Sequence, residues 1–254
     1  MQLILDNGMR VFSSEQLRQT LRENSLPADK MAQQLHRLTQ RGWLRRLKRG
    51  LYALPDRFLS SPLRELEIGA ALVFPSALSH WSAWHYHGLT EQIPRDVFLL
   101  TTTEVELPRQ RDRSRAEFEL DGVRYRFTRV APEHFFGISR PWVDQVRLSI
   151  TDLERTVLDG FLKPELCGGL DEVLGSLEHQ LHKLELERLV AYALQIGAPD
   201  AQRVGWALEH LGAPCSSLEP LQAVPHRGYR PLDPTRPRRG PCNRRWGIQE
   251  NLTA

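Results

Sequence analysis

Between Val11 and Pro55 the spacing of apolar residues changes twice. In "LPADKMAQQLHRLTQRG", Met31, Leu35 and Leu38 stand at i, i+4 and i+7, which predicts an amphipathic helix opening near Pro27 and stopping at Gly42. Ahead of it, "VFSSEQLRQTLRENS" predicts a helix from about Ser14, capped by Ser13 or Ser14. Ser13 and Gln16 have the S-x-x-Q spacing of a capping box. "DNG" at Asp6–Gly8 signals a turn, and with only about ten residues ahead of Val11–Phe12 any first helix is short. Beyond Gly42 the pattern becomes that of strands. Trp43–Leu47 and Leu51–Leu54 read as a hairpin turning through "KRG", ended by Pro55. Leu44 and Leu47 are three apart, so the first strand needs a bulge or one leucine faces solvent.

From Pro62 the texture is mixed. "PLRELEIGAALVFP" and "SALSHWSAWHYHGL" predict helices, the second ending at Gly88; "DVFLLTTT", "VRYRFTRV" and "VRLSI" predict strands. Thr151 and Glu154 have T-x-x-E spacing and predict a capped helix over "TDLERTVLDGFL". Three more helices follow in "GGLDEVLGSLEHQL", "KLELERLVAYALQIG" and "DAQRVGWALEHLG". After Pro214 the chain is dense in Pro, Gly and Arg. It is expected to form an extended basic arm, packed through Leu221, Tyr229, Leu232 and Trp246 or laid on a partner. The expected fold class is α+β. An N-terminal winged helix-turn-helix (1–57) precedes a body (62–254) made of a mixed α/β segment (62–150), a helical region (151–213) and an Arg/Pro-rich arm (214–254).

Charge changes this picture more than composition does. A 41% hydrophobic content suffices for cores, and the net charge is only +3, but the charges are segregated. Residues 1–57 hold 11 Lys/Arg against 5 Asp/Glu, and residues 226–246 hold 7 against 1, leaving the middle acidic. Clustered cations attract polyanions. Arg41, Arg45, Arg46, Lys48 and Arg49 are threaded through Trp43, Leu44, Leu47, Leu51 and Tyr52, which predicts a folded, positive surface. At about 100° per residue, Lys30, Gln33, Arg37 and Gln40 lie roughly opposite Met31, Leu35 and Leu38. Amides and cations on that outer face suit base edges in a DNA major groove, and the wing cations suit phosphates.

Chemistry elsewhere is weakly signalled. His80, His85 and His87 lack metal-ligand spacing, and His179 and His182 sit at i, i+3 among Glu and Gln on an expected solvent face. Asp152, Glu154, Arg155 and Asp159 could hold a divalent cation in a nuclease, but Glu154 and Asp152 suit a helix start and Arg155–Asp159 a routine i, i+4 pair. Cys167, Cys215 and Cys242 form no C-x-x-C pair, which suits a reducing cytosol. The amino terminus has no secretory pattern, and no run reaches the roughly 18 apolar residues of a membrane span, so the expectation is a cytoplasmic non-enzyme without cofactor or metal.

"RGWLRRLKRGLYAL", "ALSHWSAWHYHGLTEQIP", "SITDLERTVLDGFLKPELCGGLDEV" and "RGYRPLDPTRPRRGPCNRRWGIQENL" together resemble the AbiEi antitoxins of type IV toxin–antitoxin, or abortive-infection, systems. The likeness runs from about Val11 to Leu252. It implies a winged helix that represses its own operon by binding inverted repeats. It also implies a body that counteracts a nucleotidyltransferase-like toxin without a stable complex. On this chain the DNA-binding residues would be Lys30, Gln33, Gln34, Arg37, Arg41, Arg45, Arg46, Lys48 and Arg49, with no catalytic residue. Inverted repeats call for two copies on one duplex, hence a homodimer on DNA. Two other classes compete: a metal-dependent nuclease using Asp152, Asp159 or the histidines, and an interaction module whose basic tail holds RNA or an acidic protein.

Overall fold

The computed structural model describes residues 1–21, 27–105, 116–143 and 146–252. The tail of the "VFSSEQLRQTLRENS" helix, residues 22–25, lies outside them. The chain opens with α1 (Gln2–Asp6), β1 (Val11–Ser13), α2 (Ser14–Thr20), α3 (Ala28–Gln40), β2 (Arg45–Lys48) and β3 (Leu51–Ala53). The capping box is formed: Ser13 Oγ accepts from Gln16 N–H at 3.0 Å, and Gln16 Oε1 from Ser13 N–H at 2.8 Å. Pro27 precedes α3, and Gly42, at φ +68°, turns the chain out of it.

The three strands form an antiparallel sheet in the order β1-β3-β2. Its register slips between Arg46 and Lys48, so a bulge resolves the three-residue spacing and both Leu44 and Leu47 are buried. The sheet has two apolar faces. Phe12 and Tyr52 stack at 6.2 Å on the side of α1–α3, where Ile4, Leu17, Met31, Leu35 and Leu44 close a small core. Leu47, Leu51 and Ala53 instead join the core of the body. The N-terminal unit is thereby docked along its sheet.

The body begins with α4 (Glu65–Leu72), β4 (Ser76–Leu78), α5 (His80–Tyr86), β5 (Asp96–Thr101), β6 (Glu117–Leu120) and β7 (Val123–Arg129). Short strands β8 (Ile138–Ser139), β9 (Trp142–Val143), β10 (Val146–Arg147) and β11 (Ile150–Thr151) follow. A six-stranded sheet runs β6-β7-β5-β4-β11-β8, parallel at β7/β5 and β4/β11. Two expectations are corrected. "SALSHWSAWHYHGL" is not one helix: Ser76–Leu78 pairs with β5 and β11, since fully buried backbone there needs ladder partners, and the helix starts only at His80. "VRLSI" is split between β10, which pairs with β9, and β11, in the large sheet.

The helical layer is α6 (Leu153–Leu162), α7 (Leu170–Glu178), α8 (Leu186–Ile196), α9 (Ala198–His210) and α10 (Cys215–Gln222). The last corrects the expectation of an arm from residue 214, because Leu218 and Leu221 are buried against the other helices. The remaining arm is folded onto this layer as a small sheet, β12 (Arg230–Pro231), β14 (Ile248–Gln249) and β13 (Cys242–Asn243), in that spatial order. Leu232, Trp246 and Ile248 are buried, whereas Tyr229 is exposed. Trp246 lies so close to α9 that a Cβ on Gly205 would stand 2.1 Å from its ring.

Candidate nucleic-acid interface

α3 turns Met31 and Leu35 inward and leaves Lys30, Gln33, Gln34, His36, Arg37 and Gln40 exposed, with Arg41 at its C-cap. Between this helix and the hairpin lies an open cleft of about 480 Å³, lined in part by Arg18, His36, Gln40, Arg46 and Arg49. Arg18 pairs with Glu15 on α2, also in the lining. Arg46 Nε reaches the Lys48 carbonyl at 3.3 Å, which holds the side chain along the hairpin. Arg46 and Arg49 have no carboxylate partner among the described residues, and both are exposed. Asp29, in the first turn of α3, is exposed as well.

Two of the expected wing contacts point elsewhere. Arg45 pairs with Asp121, in the turn between β6 and β7. Lys48 donates to the carbonyl of Leu72, the last residue of α4, where a helix's partial negative charge favours a cation. Burial pushes the Lys48 pKa down. These two cations fasten the hairpin to the body. Reading the sequence alone missed this because both acceptors are remote in the chain; it also missed Arg18 and His36, which reach the cleft from α2 and from the flank of α3.

The body's two most distinctive motifs pack against each other. Trp84 Nε1 donates to the Thr156 carbonyl at 3.1 Å, and His87 Nε2 meets the Thr151 carbonyl at 2.8 Å. A Cβ on Gly160 would lie 2.6 Å from the Trp84 ring. The expected cap of α6 is corrected: Asp152, not Thr151, accepts from Arg155 N–H at 2.8 Å. Asp152 also accepts from Tyr192 Oη at 2.8 Å. Glu154 is buried and accepts from Glu185 N–H at 2.9 Å and from Arg188 at 3.2 Å, joining α6 to α8.

Arg155 and Asp159 are a fully buried pair, with Nε to Oδ1 at 2.9 Å, and Arg155 also donates to the His134 carbonyl at 2.7 Å. Burial raises Asp159 to about 6 despite the guanidinium beside it. Burial, then the charges of Lys163 and Arg155, lowers His80 to about 3. Asp152 and Glu154 are thus used to join α6 to α8, and Asp159 is paired within α6. No cluster of three or more metal-ligating side chains occurs among the described residues. His85, His179 and His182 are exposed and His87 is half-buried. All three cysteines are free.

Residues 1–55 match the family model described as "Transcriptional regulator, AbiEi antitoxin". The N-terminal segment therefore carries the signature of an antitoxin-type transcriptional regulator. The whole fold is similar to the RV2827C protein of Mycobacterium tuberculosis in its crystal structure, with 16% identity, a TM-score of 0.59, and coverage of 96% of this chain and 87% of that one. At that identity the likeness is one of fold. No curated protein matches the sequence. No helix among the described residues is long and apolar enough to cross a membrane.

Proposed function

We propose that this chain is a DNA-binding transcriptional repressor of the AbiEi type, with residues 1–57 acting as a winged helix-turn-helix and 62–254 as the antitoxin body. In this reading α3 enters the major groove. Gln33, Gln34 and Gln40 offer bidentate amides suited to adenine, and Arg37 a guanidinium suited to guanine. Lys30, Arg41, Arg46 and Arg49 contact phosphates, with Arg18 and His36 at the cleft's edge. Arg45 and Lys48 leave the list of contacts and become anchors.

One observation carries the reading: Arg46 and Arg49, which have no acid partner among the described residues, share one open cleft with His36, Thr39 and Gln40 on the flank of α3, beside the exposed face that holds Gln33 and Arg37. The match of residues 1–55 to a regulator family supports it. Binding to inverted repeats at its own promoter, as a homodimer formed on DNA, and opposition to a nucleotidyltransferase-like toxin without a stable complex follow from the family resemblance. Footprinting on the DNA upstream of the gene tests the repressor assignment. Protection of two half-sites, with affinity falling steeply as salt rises, is the expected result. Protection that is uniform along the fragment would contradict it.

A further inference from the structure

A second cationic concavity lies at the far end of the chain. The N-terminus of α9 faces the start of the arm, and between them is a cleft of about 370 Å³. Arg227, Arg230 and His226 line it from the arm, and Gln202 lines it from α9. Its lining contains no carboxylate. The nearest acid on the helix, Asp200, is held by Arg203 at 2.8 Å. Arg227 and Arg230 are exposed and have no acid partner among the described residues.

Gln202 is the unusual member. It is only 2% exposed, yet its amide makes no hydrogen bond among the described residues. Because Gln202 borders the cleft, a ligand there can supply the hydrogen bonds that its amide does not make within the protein. The mouth is held in shape: Arg230 N–H donates to the Gly247 carbonyl at 2.9 Å, and His226 lies so near Gly247 that a Cβ there would stand 2.5 Å from Nδ1. The positive end of a 13-residue helix, two guanidiniums and an amide donor converge on one space. A tetrahedral oxyanion can accept from the guanidiniums and the amide while the helix's positive end favours its charge, and arginine forks match phosphate in particular.

We propose that this cleft binds a backbone phosphate of a nucleic-acid strand through Arg227, Arg230 and Gln202. It shares no residue with the N-terminal interface. It gives the second positive block of the chain a role: the arm is a folded contact for a polynucleotide, positioned by Trp246, Leu232 and Ile248 in the helical core.

The test uses the full chain carrying Arg46→Glu and Arg49→Glu, so that binding at the N-terminal interface is suppressed. Anisotropy of a labelled single strand of about 20 nucleotides reads the remaining affinity across a salt series. Adding Arg227→Ala and Arg230→Ala should lower that affinity about tenfold and reduce the salt slope by about 0.7, the value for one phosphate on a single strand. Arg227→Lys with Arg230→Lys should keep the slope, since charge is retained. Gln202→Leu, of similar volume, should weaken binding with the slope unchanged. Both arginines are exposed, so unaltered thermal unfolding is expected and confirms that the variants are folded.

Absence of residual binding in the starting variant, or an arm variant with the same affinity and slope, overturns the proposal. Competition by inorganic phosphate as effective per mole as by unlabelled strand would also overturn it, in favour of a small-anion site. Equal competition by polyglutamate would do so in favour of an acidic protein. Because the N-terminal contacts are already suppressed, failure here leaves the repressor reading standing, and failure of operator footprinting leaves this site standing.

Discussion

Arg10 and Glu67 form a shielded ion pair, Nε to Oε2 at 2.8 Å, that ties the segment before β1 to the helix opening the body. Arg10 completes its fork with the carbonyls of Ser61 and Pro62, both at 3.0 Å. Together with Arg45–Asp121 and Lys48–Leu72, it fixes the N-terminal unit against the body rather than leaving it on a free linker. Removing one partner from such a pair strands the other charge in a poorly solvated place. Arg10→Ala should destabilise the protein by about 3 kcal/mol, read from urea denaturation. A change below about 1 kcal/mol would mean that the pair is effectively solvated.

The contact between Trp84 and Gly160 makes a second prediction. Gly160→Ala puts a methyl group 2.6 Å from the indole, inside a core with no slack. A loss of about 1–3 kcal/mol is expected, with reduced near-ultraviolet dichroism from the displaced tryptophan. Gly175→Ala on α7, whose Cβ would meet nothing within 4 Å, is the control and should be neutral or mildly stabilising. Equal losses in both would refute the packing account.

His80 and Asp159 shape the acid response in opposite directions. The folded His80 pKa of about 3 lies below its unfolded value near 6.5, so its contribution is present above 6.5 and is lost as pH falls towards 3. Asp159 is raised to about 6, so its protonated form favours the fold at low pH, and stability is lost as pH rises from about 4 to 6. The two slopes oppose each other over the shared window. His80 sits at φ +47°, which asparagine also tolerates. His80→Asn should therefore remove up to about 1.4 kcal/mol per pH unit of acid sensitivity between pH 6.5 and 4. Denaturation midpoints measured across that range check this; parallel profiles for the two proteins would contradict it.

Anchoring and contacting cations should separate in DNA binding. Arg45→Ala and Lys48→Ala remove side chains already engaged by Asp121 and Leu72. They should reduce operator affinity less than Arg46→Ala or Arg49→Ala, and change thermal stability more. Titration of all four variants against one duplex decides it; Arg45→Ala as the largest affinity loss would restore Arg45 as a contact.

Much of the N-terminal unit was legible because its signals are local. The Ser13–Gln16 cap, the Met31–Leu35 seam, the stop at Gly42 and the conflict between Leu44 and Leu47 all lie within a few residues of what they specify. What escaped depends on distant partners. Ser76–Leu78 resembles the start of a helix and becomes a strand only because β5 and β11 flank it. Asp152 takes the cap that Thr151 was expected to supply because Thr151 belongs to β11 and its hydroxyl is engaged by the Leu78 carbonyl and Thr156. Charge blocks marked where cations concentrate, but not which are free: nothing near Arg45 in the sequence points to Asp121.

If free cations on the hairpin hold duplex phosphates while α3 reads bases, the Arg46→Glu, Arg49→Glu double variant and Gln33→Ala must differ in the salt dependence of operator binding. The account predicts that the double variant loses affinity for all duplexes and that its salt slope shrinks by about 1.8, or roughly 0.9 per phosphate contact. Gln33→Ala should keep the slope and lose preference at one base position. Unchanged affinity and slope in the double variant, with the fold intact, would contradict it.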